Sequence, residues 1–421
     1  MNRLTKKIFF VDGVRTPFQL SGTGLKDYNC YDLGKTVLNR LSDKVYYNIG
    51  TNADYVVMGN VIQDSKTTNI ARESMLLSGF DHKIPSYTVS MACISSNKSI
   101  TEGVNLINSN QASSVVAGGV ETMSDTPIKL SQPLRKILLE SRKWKSMSDK
   151  LNGLSNIKLK DIGIEVPSIT EFSTNETMGY SADKLAEKWN VSRKDQDEYS
   201  LRSHKLASEA ENSGKLIDVI NLDNLNDNII KHESTLDKLS KLKPVFRKGG
   251  TITPGNASSL TDGASACLLA NQEYLTKNEI YAKSEIIDYT YIGTNPKDEL
   301  LLGPAYAIAK LLEKNKLHLS DIDVFEIHEA FAGQVLANLN ALNSEKFTID
   351  NNLKQKIGEL PIEKLNCFGG SLSLGHPFGA TGVRLLSHAS NRLISEKGKF
   401  GLIASCAAGG LGHAMLVKNV I

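Results

Sequence analysis

One order of strand-like and helix-like runs occurs twice in this chain. Tyr55-Val56-Val57-Met58-Gly59-Asn60 finds its echo in Asp323-Val324-Phe325-Glu326-Ile327-His328, and Val115–Gly119 in Leu402–Gly410. Between them, each copy has a turn that runs into a helix. In the first copy the turn holds Cys93; in the second it is Gly375-His376, followed by the helical stretch Ala380–Arg392. The offsets are roughly 270, 280 and 290 residues, growing slowly as loop insertions would make them. A duplicated α/β unit accounts for this. It matters chemically because equivalent turns at the strand ends of two related sheets can converge on one crevice.

Within the first copy, strand Ile8–Val11 leads to helix Asp32–Leu41, strand Tyr55–Met58, a helix near Ile70–Ser78, strand Tyr87–Val89, the helix after Cys93, and strand Ser114–Ala117. Such alternation predicts a mainly parallel sheet covered by helices. From about Asp125 the pattern breaks. Residues 129–160 read as irregular, helices follow over Ser181–Trp189 and Arg193–Ser213, the second opened by the N-cap Ser192, and Asn221–Asn228 reads as loop. Strand patterning resumes near Thr251 and runs through Ala264–Ala270. A chain of 421 residues is too long for one small core. The expected division is an N-terminal half over residues 1–124 plus 250–283, an inserted loop domain over 125–249, and a C-terminal half over 284–421.

A net charge of +3 is too small to argue for nucleic acid, but the charge is unevenly spread. Residues 129–160 hold nine Lys/Arg against Glu140 and Asp149, a local balance of +7. Leu134, Ile137, Leu138, Trp144, Met147, Leu151 and Leu154 lie among them. That mixture suggests a docking surface for an acidic partner or for anionic lipid, against the plainer readings of a solvated face or a role at the chain's own binding site. No apolar run reaches the roughly 18 residues needed to span a membrane, and no signal peptide or arginine-rich transit peptide is evident at Met1–Lys7. Five cysteines at unrelated positions (Cys30, Cys93, Cys267, Cys367, Cys406) form no disulfide framework, which suggests a reducing compartment. A cytoplasm, or an organelle matrix such as the mitochondrial one, is the expected location.

Cys93 sits where a strand stops and a helix begins. Unpaired N–H groups and the positive end of the helix dipole stabilise a thiolate there, and a neighbouring base would make it a nucleophile. A buried structural cysteine is the competing reading. Three further motifs lie on turns of the second copy: His328-Glu329-Ala330-Phe331, the glycine-rich stretch from Gly369 to Gly382 that contains Gly375-His376-Pro377, and Ser405-Cys406-Ala407-Ala408-Gly409-Gly410. Taken singly, His328 also reads as a helix cap, His376 as a structural loop histidine, and Cys406 as filler between small residues. Their joint placement at corresponding strand ends argues for one site. No metal is expected, because two Cys and two His without any short ligand pair do not make a zinc signature. The glycine-rich loop lacks the G-K-[ST] ending of a phosphate-binding loop.

These residues resemble the fingerprints of the thiolases. Cys93, His328-Glu329-Ala330-Phe331, Gly375-His376-Pro377 and Cys406-Ala407-Ala408-Gly409-Gly410 match, as do Val14-Arg15-Thr16-Pro17-Phe18, Gly118–Ser124 and Asn256–Ala264. The His-Glu-Ala-Phe version, with Glu171-Phe172-Ser173-Thr174 and Leu301-Leu302-Gly303-Pro304, is similar to the thiolase subunit of the fatty-acid β-oxidation trifunctional enzyme. The resemblance covers essentially the whole chain.

It implies a five-layer α-β-α-β-α core from two similar halves, with an inserted loop domain over the site. It also implies cleavage of a 3-ketoacyl-CoA by CoA, with CoA as substrate and no cofactor. In that reaction His376 activates Cys93, which carries the acyl group, and Cys406 alternates as acid and base. His376 and a group held by His328 stabilise one oxyanion, and the N–H groups of Cys93 and Ala408 the other. Ser258 and Ala257 would meet the pantetheine arm, with Met178 and Phe331 lining its slot; Pro254 stands where relatives often have Ala. A homodimer or larger assembly is implied, with a hydratase/dehydrogenase α subunit as a possible partner. The alternatives are a short-chain condensing (acetoacetyl-CoA) thiolase, a ketoacyl synthase, which the second cysteine disfavours, and a non-catalytic lipid-binding relative.

Overall fold

The computed structural model describes residues 4–45, 49–155, 157–168, 170–354 and 356–421, the side chains of Thr51 and Lys160 excepted. Lys160, counted above in the basic stretch, therefore lies outside the described side chains, and Met1–Arg3 lie outside altogether.

Among the described residues, nine strands form the main path of a ten-stranded sheet, the short pair Gln19–Leu20 lying off it. They are β1 (Ile8–Arg15), β2 (Tyr55–Gly59), β3 (Ser86–Val89), β4 (Ser114–Glu121), β5 (Thr261–Asn271), β6 (Ser284–Gly293), β7 (Val324–Ile327), β8 (Phe400–Ala407) and β9 (Leu411–Asn419). Their order across the sheet is β7-β8-β9-β6-β1-β5-β4-β2-β3. Read outward from the β1–β6 seam, the two arms repeat: β1, β5, β4, β2 on one side and β6, β9, β8, β7 on the other. The seam pairs Ile8 with Ile286, Phe9 with Glu285 and Phe10 with Ser284, antiparallel. The first arm ends on a further parallel strand, β3. In the second arm only a bridge from Phe325 to Leu365 stands in that place.

The expected duplication is therefore present, but the sheet is mixed rather than mainly parallel. β2 runs parallel to β3 and β4, and β7 parallel to β8. The remaining neighbours on this path, including β4–β5 and β8–β9, are antiparallel. A strand buried on both faces reads as a continuous apolar run whichever way it points, so its direction is not in the pattern. The strand expected from Thr251 begins only at Thr261, and residues 251–260 form an extended loop.

Side chains alternate between faces along each strand. Phe9 and Val11 enter one core while Ile8 and Phe10 enter another. Three cores result. The first joins β1, β2, β4 and β5 to α1 (Cys30–Val45) and α2 (Ile70–Leu77). The last joins the other arm to α8 (Gly303–Asn315) and α9 (Ala332–Leu342). The middle core draws on both arms and on α3 (Ser95–Asn108) and α10 (Thr381–Ser395). Helices outside, helices between and two sheet arms make the five layers. Each large apolar side chain so buried contributes about 1.5–3 kcal/mol.

α3 and α10 are the helices that follow the two echoed turns, and they cross at their N-termini. Gly382 N–H donates to Ser96 Oγ at 2.7 Å, and a Cβ on Gly382 would strike the Asn97 backbone. The segment between the halves is pinned to β1 by buried ion pairs. Arg15 grips Asp227 with both Nη atoms at 2.7 Å and reaches Asp218 with Nε at 3.1 Å.

Residues 129–160 are not irregular. They fold as α4 (Gln132–Ser141) and α5 (Met147–Ser155), with Trp144 lying over Gly153. Lys129-Leu130 pairs with Ile164-Glu165 at the base. Neither helix buries a residue, and Leu138, Leu139, Met147, Leu151 and Leu154 are exposed. α6 (Met178–Lys188) and α7 (Arg193–Asn212) follow, capped by Thr177 and Ser192.

Candidate active site

Cys93 stands in the turn between β3 and α3. Ala92, just before it, takes the left-handed conformation (φ 46°), a strained choice for a residue with a Cβ. The turn is held by Ile94 N–H to Met91 O at 3.2 Å and Ser95 N–H to Ala92 O at 3.0 Å. The equivalent turn of the second half also needs an unusual backbone: Gly375, at φ 97°, delivers His376 to the same place. That loop is seated backbone to backbone on β4, because a Cβ on Gly119 would overlap the Gly379 carbonyl. Glu121 clamps it, accepting from the Gly379 N–H at 3.0 Å and from Val61 and Ile62. Burial raises this carboxyl to about 8 despite those donors.

Cys93 Sγ and one ring nitrogen each of His328 and His376 lie within 4.8 Å of one another. The two imidazoles stack obliquely, with centroids 4.1 Å apart. Burial holds both neutral, pushing His376 down to about 3 and His328 well below its usual value. For His328 the neighbouring His376 and Arg384 add to the effect. In both rings Nε2 is buried with no hydrogen-bond partner.

Hydrogen bonds to the other nitrogens differ. His376 Nδ1 is 2.6 Å from Thr381 Oγ1, whose own proton goes to the Pro377 carbonyl at 3.1 Å. Thr381 therefore accepts from Nδ1–H, and Nε2 of His376 is left with a lone pair. His328 Nδ1 is instead 2.9 Å from Ser371 Oγ.

The helix-start donors expected at Cys93 are present but opposed by burial, so the thiol depends on the neighbouring base that the sequence argument required. The N–H groups of Ala408 and of Cys93 itself lower the thiol's pKa, but burial outweighs them and pushes it up to about 11. The resting pair is thus a neutral thiol beside neutral imidazoles. Cys406 is buried in β8, outside the 4.8 Å group but close enough that Cys93 adds to burial in raising its thiol further.

The residues expected to meet CoA lie alongside. Ser258 N–H donates to Ala330 O at 2.9 Å, Ala257 bridges Phe331, and Leu260 bridges His376. Phe331 meets Phe246 edge-on at 6.1 Å, and Phe246 lies over Gly179, the residue after Met178. Glu329 cross-links these loops. It accepts from Tyr199 (2.9 Å), Ser203 (2.8 Å), Asn366 (2.7 Å) and Leu372 N–H (3.2 Å). Thr381, Ser371, Tyr199 and Ser203 had no role in the sequence reading. Ser371 and Thr381 lie in or beside the glycine-rich motif, but what they touch is decided by the fold.

Residues 8–273 match the thiolase N-terminal domain and residues 280–419 the thiolase C-terminal domain. A probable 3-ketoacyl-CoA thiolase of Caenorhabditis elegans is 50% identical over 98% of this chain and 94% of its own. The mitochondrial trifunctional enzyme subunit beta of Homo sapiens is 49% identical over 98% and 88%. Among solved structures, human mitochondrial 3-ketoacyl-CoA thiolase in complex with CoA superposes with a TM-score of 0.84 at 30% identity, covering 100% and 99% of the two chains. The Bacillus anthracis acetyl-CoA acetyltransferase gives 0.83 at 30%, covering 100% of both. With its duplicated fold, its paired turns and these matches along nearly its whole length, the chain belongs to the thiolase family of acyltransferases.

Proposed function

We propose that this protein is a 3-ketoacyl-CoA thiolase of fatty-acid β-oxidation that works through an acyl-Cys93 intermediate. The observation that carries the reading is the 4.8 Å cluster of Cys93 Sγ with two neutral imidazoles whose Nε2 atoms have no protein partner. His376 Nε2 takes the thiol proton, and the sulfur attacks the 3-keto carbon. The C2–C3 bond then breaks, its electron pair leaving as the acetyl-CoA enolate, which Cys406 protonates. Cys406, now a thiolate, takes the proton from an incoming CoA thiol. CoA sulfur attacks the acyl carbon, Cys93 leaves, and His376 returns its proton. Cys406, its thiol raised by burial and by Cys93, rests protonated and so is poised to give its proton to the enolate first and to recover one from CoA afterwards. Its deep burial makes the thiolate short-lived.

The N–H groups of Cys93 and Ala408, which lower the Cys93 thiol's pKa, are the donors assigned to the acyl oxygen. His328 and His376 serve the enolate oxygen. Ser258, Ala257, Met178 and Phe331 form the CoA slot. CoA is a substrate here, and we assign neither cofactor nor metal. The short-chain condensing alternative uses the same residues and differs in the acyl tunnel.

Incubation with a 3-ketoacyl-CoA and no free CoA should add the acyl mass to the Cys93 peptide, and Cys93→Ala should abolish it. Stoichiometric labelling of Cys406 instead would reverse the assignment. Thiolysis rates with acetoacetyl-CoA and a long-chain 3-ketoacyl-CoA separate the two thiolase readings.

Relatives named as mitochondrial trifunctional enzyme β subunits support a partner subunit and a mitochondrial location; we take the partner to be a hydratase/dehydrogenase α subunit, the core a homodimer or larger, and the compartment the matrix. Among the described residues no helix is long and apolar enough to cross a membrane. The basic, apolar-faced hairpin of α4 and α5 within residues 129–160 is the proposed docking surface for that partner, with peripheral contact to anionic lipid as the second reading. Reversing Arg142, Lys143 and Lys145 to Glu should abolish co-purification with the partner, or co-sedimentation with anionic vesicles, and leave the KM for CoA unchanged. A raised KM with association intact would place the segment at the active site instead.

A further inference from the structure

His328 is held differently from His376, and the difference lies in an arginine. Arg384, on the first turns of α10, is fully buried, and its Nη2 donates to Ser371 Oγ at 2.9 Å. The same oxygen is 2.9 Å from His328 Nδ1. A guanidinium has five donors and no acceptor, so Ser371 Oγ must accept from it. One hydroxyl proton remains, and among the described residues Nδ1 of His328 is the acceptor available to it. We propose that Arg384 and Ser371 form a tautomer lock: they hold His328 with Nδ1 as acceptor and its proton on the otherwise unpartnered Nε2. They are positioning residues that act through His328.

The opposite tautomer would direct two donors at Ser371 Oγ and leave the hydroxyl proton unpaired in a buried place. An unsatisfied buried donor disfavours that arrangement by roughly 5- to 150-fold. The lock explains why two adjacent histidines take different parts. Thr381 accepts from His376 and makes its Nε2 a base, whereas Ser371 donates to His328 and makes its Nε2 a hydrogen-bond donor. The guanidinium also bears on protonation. Its Nε and Nη1 have no partner, and the carboxylates that act on it, Glu326, Glu329 and Asp218, form no direct bond to it. Its charge therefore reaches the histidines and opposes a cation on His328.

The inference rests on the reading of His328 as an oxyanion donor, but it is tested apart from that reading. In 15N spectra of histidine-labelled free enzyme, with the His328 signal assigned from a His328→Gln variant, Nδ1 should appear unprotonated and Nε2 protonated. Ser371→Ala and Arg384→Met should shift His328 toward Nδ1–H or a mixture and lower kcat by at least about tenfold at unchanged KM. Ser371→Thr, which keeps the hydroxyl, should retain both tautomer and rate. A wild-type His328 protonated at Nδ1 overturns the proposal, as does a Ser371→Ala variant with an unchanged tautomer. Undiminished turnover in His328→Ala would remove the oxyanion role and leave the lock standing. The wild-type spectrum decides the matter even where Arg384→Met fails to fold.

Discussion

Thr381→Val removes one acceptor and almost no volume. In the wild type, Thr381 Oγ1 accepts from His376 Nδ1–H at 2.6 Å inside a region closed to water. Valine leaves the shape and takes the oxygen. The imidazole must then either keep Nδ1–H unpaired or move the proton to Nε2, where it can no longer act as base. Leaving a buried donor unpaired costs about 1–3 kcal/mol. If that cost falls on the reactive tautomer, acylation slows by roughly 5- to 150-fold, at 1.36 kcal/mol per tenfold. Rapid mixing of enzyme with a 3-ketoacyl-CoA in the absence of CoA, followed by timed quenching and mass measurement of the Cys93 peptide, reads this step alone. Thr381→Ser keeps the acceptor and should acylate within a few-fold of wild type. A correctly folded Thr381→Val that acylates at the wild-type rate would show that this bond does not set the base and would refute the argument.

Three other outcomes are expected. His328→Ala should lower turnover by about 10²–10³ yet still acylate Cys93; undiminished turnover would make the histidine structural. Glu329→Gln exchanges one acceptor oxygen for an NH₂ group among four donors, so denaturant unfolding should show a loss of about 2–3 kcal/mol; unchanged stability would mean the cross-link is dispensable. Stability should also fall steeply as pH drops from about 6 to 4.5. His204 (about 4), His376 (about 3), His413 (about 3) and His328 stay neutral when folded and take up protons when unfolded. Glu121, raised to about 8, works with the opposite sign because it holds its proton only in the folded protein. Four histidines against one carboxyl leave about three protons, or roughly 4 kcal/mol per pH unit; a flat profile from pH 6 to 4.5 would contradict it.

The duplication and the turns that bear Cys93 and His376 are legible in the sequence because they rest on local periodicity and on glycines with few uses. Strand direction is not, since β5 and β9 are as apolar as the parallel strands they follow. The protonation of Cys93 is less legible: a helix N-terminus can be read from neighbouring residues, whereas the segments that pack over the thiol from the other half of the chain cannot. The helices α4 and α5 escaped notice because their apolar residues face outward and so leave no core to predict. Ser371, Thr381 and Arg384 gave no signal of their own. Each matters through one atom whose partner the fold supplies.

The seam between the halves bears on how the protein is made. β1 precedes the other strands of this sheet in the chain, yet its neighbours on both sides, β5 and β6, begin at residues 261 and 284. At about 5–20 residues per second, Ile8-Phe9-Phe10-Val11 waits some 10–50 seconds with neither edge paired. A short apolar β-former left open for that long is an aggregation hazard. Slowing synthesis lengthens the wait, while a holdase that covers the first fifteen or so residues shortens the exposure. Yield of native enzyme should therefore follow chaperone supply more closely than it follows the stability of the finished fold.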